Sequence, residues 1–214
     1  DDLVRDYGCD SLRLYEMFVG PPELDSEWDE RGIDGVYRFI TRFWKLAVDS
    51  IEANVEPTKE MIKLRHQMVH TITRRLEDFS LNTVVSGFME FNNKFIELAK
   101  KEGGIDKETI QTFVTLLAPF APHIGEELWE RLGNTGSVFE NNKWPEADEE
   151  LMKDDEIQVP VQINGKTKVV ISVPADISKD DAIAQGKEAL GDKLTGNIIK
   201  EIYVPGRIIN IVAK

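Results

Sequence analysis

The apolar period of this chain changes once, and that change limits the fold more than any single motif. As far as Leu132 the large apolar residues recur at spacings of three and four, the pattern of helices that each bury one face. From Ile157 they alternate: Ile157, Val159, Val161 and Ile163 are separated by Gln158, Pro160 and Gln162, the pattern of a half-buried strand. A chain of 214 residues with one such switch is expected to be mainly α. The expected parts are an antiparallel helix bundle with an acidic strap over 1–152, a linker over 153–156 and a small α+β domain over 157–214.

The bundle is organised around Leu116 to Gly133. Leu116, Leu117, Phe120, Ile124, Leu128 and Leu132 share one helical face, and Glu126, Glu127, Glu130 and Arg131 make the wet side. Pro119 and Pro122 interrupt the run, because a proline removes a helical hydrogen bond and clashes with the preceding turn, so a kink or restart is expected near Phe120. Upstream, residues 3–19 read as a short and a longer helix split at Gly8, with Asp10 or Ser11 to cap the second. An acidic loop over 23–30 is anchored by Trp28. Residues 33–52 form an amphipathic helix with Phe39, Phe43, Trp44 and Leu46 inward and Arg38, Arg42 and Lys45 outward. Pro57 and Thr58 open the next, which runs to about Phe79. Its apolar arc holds Met61, Leu64, Met68, Ile72 and Leu76, and its opposite face holds Lys59, Lys63, His66, His70 and Arg74. Asn82 reads as the following N-cap, Gly103-Gly104 as a stop, and Asp106 as the cap of a fifth principal helix. The polar stretch from Asn134 to Asp155 reads as a surface strap anchored by Trp144-Pro145 and Leu151-Met152.

The remaining residues spell β-β-α-β-β. Pro160 places the first strand at a sheet edge. Asn164-Gly165 is a tight-hairpin pair, and Lys168–Val173 returns. Ser178 with Asp181 opens a helix to about Leu190, and Ile198–Val204 and Arg207–Val212 turn back at Pro205-Gly206.

Charge is distributed unevenly. The net charge of −13 argues against a simple nucleic-acid binder. Residues 101–156 hold 14 acidic and 5 basic side chains, whereas 157–214 hold 6 and 8. The Lys59–Arg74 stripe spaces donors along one face, as phosphate binding requires, and also suits an ordinary solvated face. In the last module Lys166, Lys168, Lys200 and Arg207 are the candidate donors. His66 and His70 have the spacing of a metal pair but lack a carboxylate between them and a cysteine cluster, so no metal site is expected. Asn164-Gly165-Lys166 is a turn and not a phosphate loop, and no nucleophile–base grouping emerges. One cysteine, Cys9, excludes an intramolecular disulfide framework. With no apolar run near the roughly 20 residues that span a bilayer, and no signal peptide at Asp1-Asp2-Leu3, a cytoplasmic chain without membrane contact is expected.

Taken together the motifs resemble a family. Tyr7-Gly8-Cys9-Asp10-Ser11-Leu12-Arg13 is similar to the segment that follows the KMSKS loop of class I aminoacyl-tRNA synthetases, with Cys9 where alanine is usual. Phe79-Ser80-Leu81-Asn82-Thr83, Leu116 through Ile124 with Glu126-Glu127-Leu128-Trp129, and Trp144-Pro145 resemble the anticodon-binding-type bundle of the Leu/Ile/Val/Met subclass, with Leu81 where phenylalanine is common. Val161 through Lys166 and Val204 through Val212 are similar to the C-terminal module of the bacterial leucyl enzymes. The resemblance implies a C-terminal fragment of a leucine–tRNA ligase, with tRNA(Leu) and the upstream catalytic and editing domains as partners. It implies a monomer that holds no cofactor in this region, ATP and Mg belonging to the full enzyme. His123-Ile124-Gly125 mimics the His-Ile-Gly-His signature of that class, but Glu126 stands where the second histidine belongs and no strand precedes it. Two alternatives stay open: an acidic protein-interaction module, and the same region of an isoleucyl or valyl enzyme.

Overall fold

The computed structural model of the chain describes residues 2–140, 142–153 and 156–214. They form two compact units, Asp1–Met152 and Lys153–Lys214. The linker expected over 153–156 includes Asp154 and Asp155, which lie outside the described residues.

The first unit is helical: α1 Asp2–Tyr7, α2 Cys9–Phe18, α3 Ile33–Ala53, α4 Lys59–Glu77, α5 Leu81–Glu102, α6 Lys107–Leu117 and α7 Pro122–Arg131. Local chemistry sets most of the boundaries. The Thr58 hydroxyl accepts from the Met61 amide at 3.3 Å, and Asp106 accepts from Thr109 at 3.0 Å, each satisfying a free donor of a first turn. Asn54 (φ 46°) and Gly103 (φ 84°) end α3 and α5 in the left-handed region.

Two expected caps are corrected. Asn82 does not cap α5; the helix begins at Leu81, and the Thr83 and Val84 amides bond the Ser80 carbonyl at 3.0 Å. The reason is Phe79, whose φ of 52° turns the chain before Asn82 is reached. Neither Asp10 nor Ser11 caps α2, whose N-cap position is Gly8. Asp10 is instead buried, at 8% exposure, and bonds a different helix.

That helix is α7. The chain breaks after Leu117 and restarts with Pro122 in the first turn, where its missing N–H costs nothing. Asp10 Oδ2 accepts from the Ile124 amide at 2.8 Å, and Asp10 Oδ1 lies 2.7 Å from His123 Nδ1. A residue more than a hundred positions upstream thus supplies the cap that Ala121 cannot. Gly125 lets α7 fold back: a Cβ there would stand 2.8 Å from Ala118 Cβ and 3.0 Å from Ala118 Cα. His123-Ile124-Gly125 is therefore a capped helix start.

The core centres on Phe113 of α6, whose ring lies 4.3 Å from Phe43 of α3 and 5.7 and 6.0 Å from Phe88 and Phe95 of α5. All four are essentially fully buried, each removal from water contributing about 1.5–3 kcal/mol. The strap after α7 is fastened at several points. The Glu126 carboxylate accepts from the Ser137 hydroxyl and from the Val138 amide. Trp144 Nε1 donates to Thr73 Oγ1 at 2.8 Å, and Gln67 donates to the Met152 carbonyl at 3.2 Å. Leu151, expected to anchor the strap, is 45% exposed; the neighbouring backbone does that work.

The second unit contains β1 Glu156–Ile163, β2 Lys166–Pro174, α8 Lys179–Leu190, β3 Ile198–Val204 and β4 Ile208–Ala213. The strand order is β2-β1-β4-β3, with β1 and β4 parallel and both hairpins antiparallel. Asn164 (φ 49°) and Gly165 (φ 79°) make the first hairpin turn, and the Ser178 hydroxyl caps α8 through the Asp181 amide. The helix covers one face of the sheet, where Val159, Val161, Val173, Ile183, Leu190, Ile209 and Ile211 are buried. The expectation that β1 lies at an edge is corrected: it sits between β2 and β4. Its pairing with β4 begins only at Val161, so the strand is open on that side through Pro160, and the missing N–H is tolerated there.

Candidate nucleic-acid interface

The helices display cations in two rows. On α3, Arg38 and Arg42 are exposed, and among the described residues no carboxylate is paired with either. Lys45 is also exposed but bonds Asp49 at 2.9 Å, which holds its ammonium above the ordinary lysine value. On α4, Lys59, His70 and Arg74 are exposed, whereas Lys63 and His66 are half-buried. Arg65, which the sequence reading left out of the stripe, is 7% exposed, with Nη1 2.8 Å from Glu108 and 3.7 Å from Asp106. It ties α4 to α6 and offers nothing to solvent.

His66 differs from its neighbours. Its Nδ1 accepts from the Asp148 amide of the strap at 3.0 Å, so the neutral ring carries its proton on Nε2. Partial burial, then the positive Arg65 beside it, push its pKa down from the usual histidine value. Within the stripe it fastens the strap with one nitrogen, and Nε2–H is its remaining donor.

Two grooves flank α5, and of the two rows only Arg42, Lys45 and Lys63 line them. A groove of about 470 Å³ between α3 and α5 has Leu46, Ile96 and Ala99 in its lining, Arg42, Lys45 and Lys100 among its polar residues, and Gly103-Gly104 in its wall. A second groove of about 500 Å³, between α4 and α5, is lined by Lys63, Lys94 and Lys101 together with Glu60 and Glu97. Lys101 bonds Glu60 at 3.0 Å, which raises its pKa, and Lys100 bonds Glu97 at 2.6 Å. The sequence reading missed Lys94, Lys100 and Lys101. Their spacing of six and seven residues on α5 was the available signal, hidden because the helix was read for its apolar face.

In the second unit Lys166, Lys168, Lys200 and Arg207 are all exposed. They do not form one cluster. The parallel pairing sets Val161 beside Ile209 and Ile163 beside Ile211, so the Asn164-Gly165 turn and the Pro205-Gly206 turn fall at opposite ends of the sheet. Lys200, opposite Val212, lies toward the end that carries Lys166, and Arg207 stands alone at the other.

Among the described residues no group of three or more histidine, cysteine, aspartate and glutamate side chains is placed to hold a metal ion. No described helix is long and apolar enough to cross a membrane.

The chain is thus a helical bundle with cation-bearing grooves followed by a small α+β unit. Residues 58–183 match the family described as the anticodon-binding domain of tRNA ligase, and the chain belongs to that family. Its whole length is similar to leucine–tRNA ligases: 41% identical to that of Fervidobacterium nodosum, covering 100% of this chain and 28% of the relative. Identity is 40% with that of Parabacteroides distasonis, over 99% of this chain and 23% of the relative. It is 38% with that of Rhodopirellula baltica, over 100% and 23%. The chain therefore spans about a quarter of the length of the curated relatives it matches. Among solved structures it is similar to the Agrobacterium radiobacter K84 agnB2 LeuRS in its ternary complex with tRNA and LeuAMS. The TM-score is 0.74 and the identity 26%, over 100% of this chain and 29% of that one.

Proposed function

We propose that this chain is the tRNA-contacting region of a leucine–tRNA ligase, which positions tRNA(Leu) while a catalytic domain elsewhere in the enzyme leucylates it with ATP and magnesium. The observation that carries the reading is likeness over the full length to leucine–tRNA ligases, one of them solved with tRNA in its complex. The charge arrangement supports it. Arg38 and Arg42 on α3, with Lys45 beside them, and Lys59, Lys63, His70 and Arg74 on α4 offer phosphate donors on the helical unit; His66 adds its Nε2–H. Lys166, Lys168, Lys200 and Arg207 offer them on the small unit. On this reading the chain works in the cytoplasm as part of a monomeric enzyme, contacts no membrane, holds no cofactor itself, and carries no leucine-dependent ATP–pyrophosphate exchange alone.

The test is filter binding of a tRNA(Leu) transcript to the 214-residue chain from about 50 to 200 mM salt. Affinity is expected to fall log-linearly with salt, and Arg38→Ala with Arg74→Ala to flatten that slope by roughly 0.7–0.9 for each lost phosphate contact. Both side chains are exposed, so the fold should be unaffected. Absence of binding, or binding indifferent to salt, refutes the reading.

A further inference from the structure

The sheet of the second unit has a helix on one face only. Side chains alternate across a strand, so the buried Val159, Val161, Ile209 and Ile211 commit the odd-numbered positions of β1 and β4 to α8 and the even-numbered ones to the other face. The register lays one apolar row across that open face. Val170 of β2 is opposite Pro160 of β1, Ile208 of β4 stands one position before the Val161–Ile209 pair, and Val204 of β3 is opposite Ile208. Val170 is 53% exposed and Val204 39%, with Pro160 and Ile208 half-buried between them. Four strands about 4.8 Å apart make the row about 14 Å long. A polar row of Thr167, Gln162 and Asn210, closed by Ile202, runs beside it. Beyond that row, Lys166, Lys168 and Lys200 are exposed at the Asn164-Gly165 end, and Lys200 shares the open face with its opposite residue Val212. At the other end Glu156 and Arg207 supply one charge of each sign.

An aliphatic row bordered on one side by cations is complementary to an amphipathic helix with an acidic border. We propose that this face docks such a helix from a partner protein. A helix rises 1.5 Å per residue, so about ten residues cover the row, and aliphatic side chains at i, i+4 and i+7 meet Val170, Pro160, Ile208 and Val204. The docked helix gives this face the layer that α8 gives the other. Its carboxylates face Lys166, Lys168 and Lys200 across the polar row. Single-stranded RNA is the competing class, and the chemistry of the face disfavours it. Sheets that bind bases stack them on aromatic rings. Here Tyr203, the only aromatic residue after Trp144, packs into the core on the α8 side. The inference goes beyond the tRNA reading: an occupied face withdraws three of the four candidate phosphate donors of the small unit, so partner and tRNA exclude each other at these lysines.

The experiment titrates the ¹⁵N-labelled 214-residue chain with two designed helical peptides that share one leucine stripe, the first bordered by glutamates and the second by lysines. The glutamate peptide is expected to shift the Val170, Val204, Ile208 and Asn210 amides and to bind about tenfold more tightly than the lysine peptide. Val170→Asp, at an exposed position away from the α8 face, should weaken the glutamate peptide about tenfold. Lys168→Glu with Lys200→Glu should reverse the preference between the two peptides. Silent amides, equal affinity for the two peptides, wild-type binding in folded Val170→Asp or an unreversed preference in the charge-swapped chain overturns the proposal. So does an oligoadenylate that shifts these amides as strongly as the glutamate peptide, which would assign the face to RNA. If a variant loses its dispersed amide spectrum, the comparison of the two peptides on the unaltered chain decides. A chain that binds tRNA with this face silent to both peptides loses only this inference; a chain that binds the glutamate peptide here but no tRNA loses only the tRNA reading.

Discussion

Asp10→Ala should damage the bundle more than any surface substitution, because it removes a cap that reaches from α2 to α7. The wild-type carboxylate is 8% exposed and accepts from the Ile124 amide at 2.8 Å and from His123 at 2.7 Å. Ile124 is itself buried, so its amide has no water to turn to when the carboxylate is gone. A hydrogen bond to a charged acceptor contributes about 1.5–3 kcal/mol, and leaving its donor buried and unpaired keeps the loss at the upper part of that range. The His123 bond adds less than about 1 kcal/mol, because that side chain is 74% exposed and its interaction is screened. The expected cost of Asp10→Ala is therefore about 2–4 kcal/mol, and that of His123→Ala under about 1 kcal/mol. Asp10→Asn keeps an acceptor for the Ile124 amide and should fall between them. All four tryptophans, Trp28, Trp44, Trp129 and Trp144, lie in the first unit, so urea unfolding followed by tryptophan fluorescence reports the bundle alone. Asp10→Ala within about 0.5 kcal/mol of wild type, or His123→Ala as costly as Asp10→Ala, would refute the assignment of Asp10 as the remote cap of α7.

Three further outcomes are expected. Gly125→Ala gains helix propensity but drives a methyl into Ala118, and should destabilise the bundle by about 1–3 kcal/mol in the same urea assay; a neutral or stabilising result contradicts the close approach. Trp144→Phe removes the bond to Thr73, at a cost of about 1 kcal/mol, and should speed tryptic cleavage at Lys143, with an unchanged cleavage rate counting against a fastened strap. His66 should make the strap pH-dependent. Its folded pKa lies below the usual 6.5, so the unfolded chain binds the proton more readily; stability is whole above about pH 6.5 and is lost as pH falls below it toward the folded value. The urea midpoint should fall with pH across that window by less in His66→Ala than in wild type, and equal falls would show that His66 is not responsible.

The helices were legible because their apolar residues repeat at the period of the structure they form, and the second unit because Asn164-Gly165, Ser178 and Gly206 each demand one local geometry. What sequence concealed was contact between distant elements. Asp10 stands just after a glycine at a helix start and reads as a local cap; only the packing of α2 against α7 shows that its acceptor is spent elsewhere. His66 looks like a member of the same polar face as Lys63 but is taken by the strap, and Arg65, which falls outside that face, is drawn into an ion pair with α6. The candidate interface was half legible for the same reason. Arg38, Arg42 and the α4 stripe follow helical spacing, whereas the grooves beside α5 exist only once three helices are side by side. Lys166 and Arg207 both flank turns, and nothing local reveals that a parallel strand pair sends those turns to opposite ends.

The sheet order also governs the sequence of events during synthesis. The β1–β2 hairpin is complete at Pro174, and β4 begins only 34 residues further on at Ile208, so β1 spends that interval as an edge strand. An exposed apolar edge invites pairing with the wrong chain. Pro160 cannot donate to an intruding strand, and Lys166 and Lys168 charge the neighbouring strand. A residue that looks misplaced in the interior of the finished sheet is well placed in the unfinished one: it keeps the berth beside β1 open for the one strand whose pairing starts a residue later.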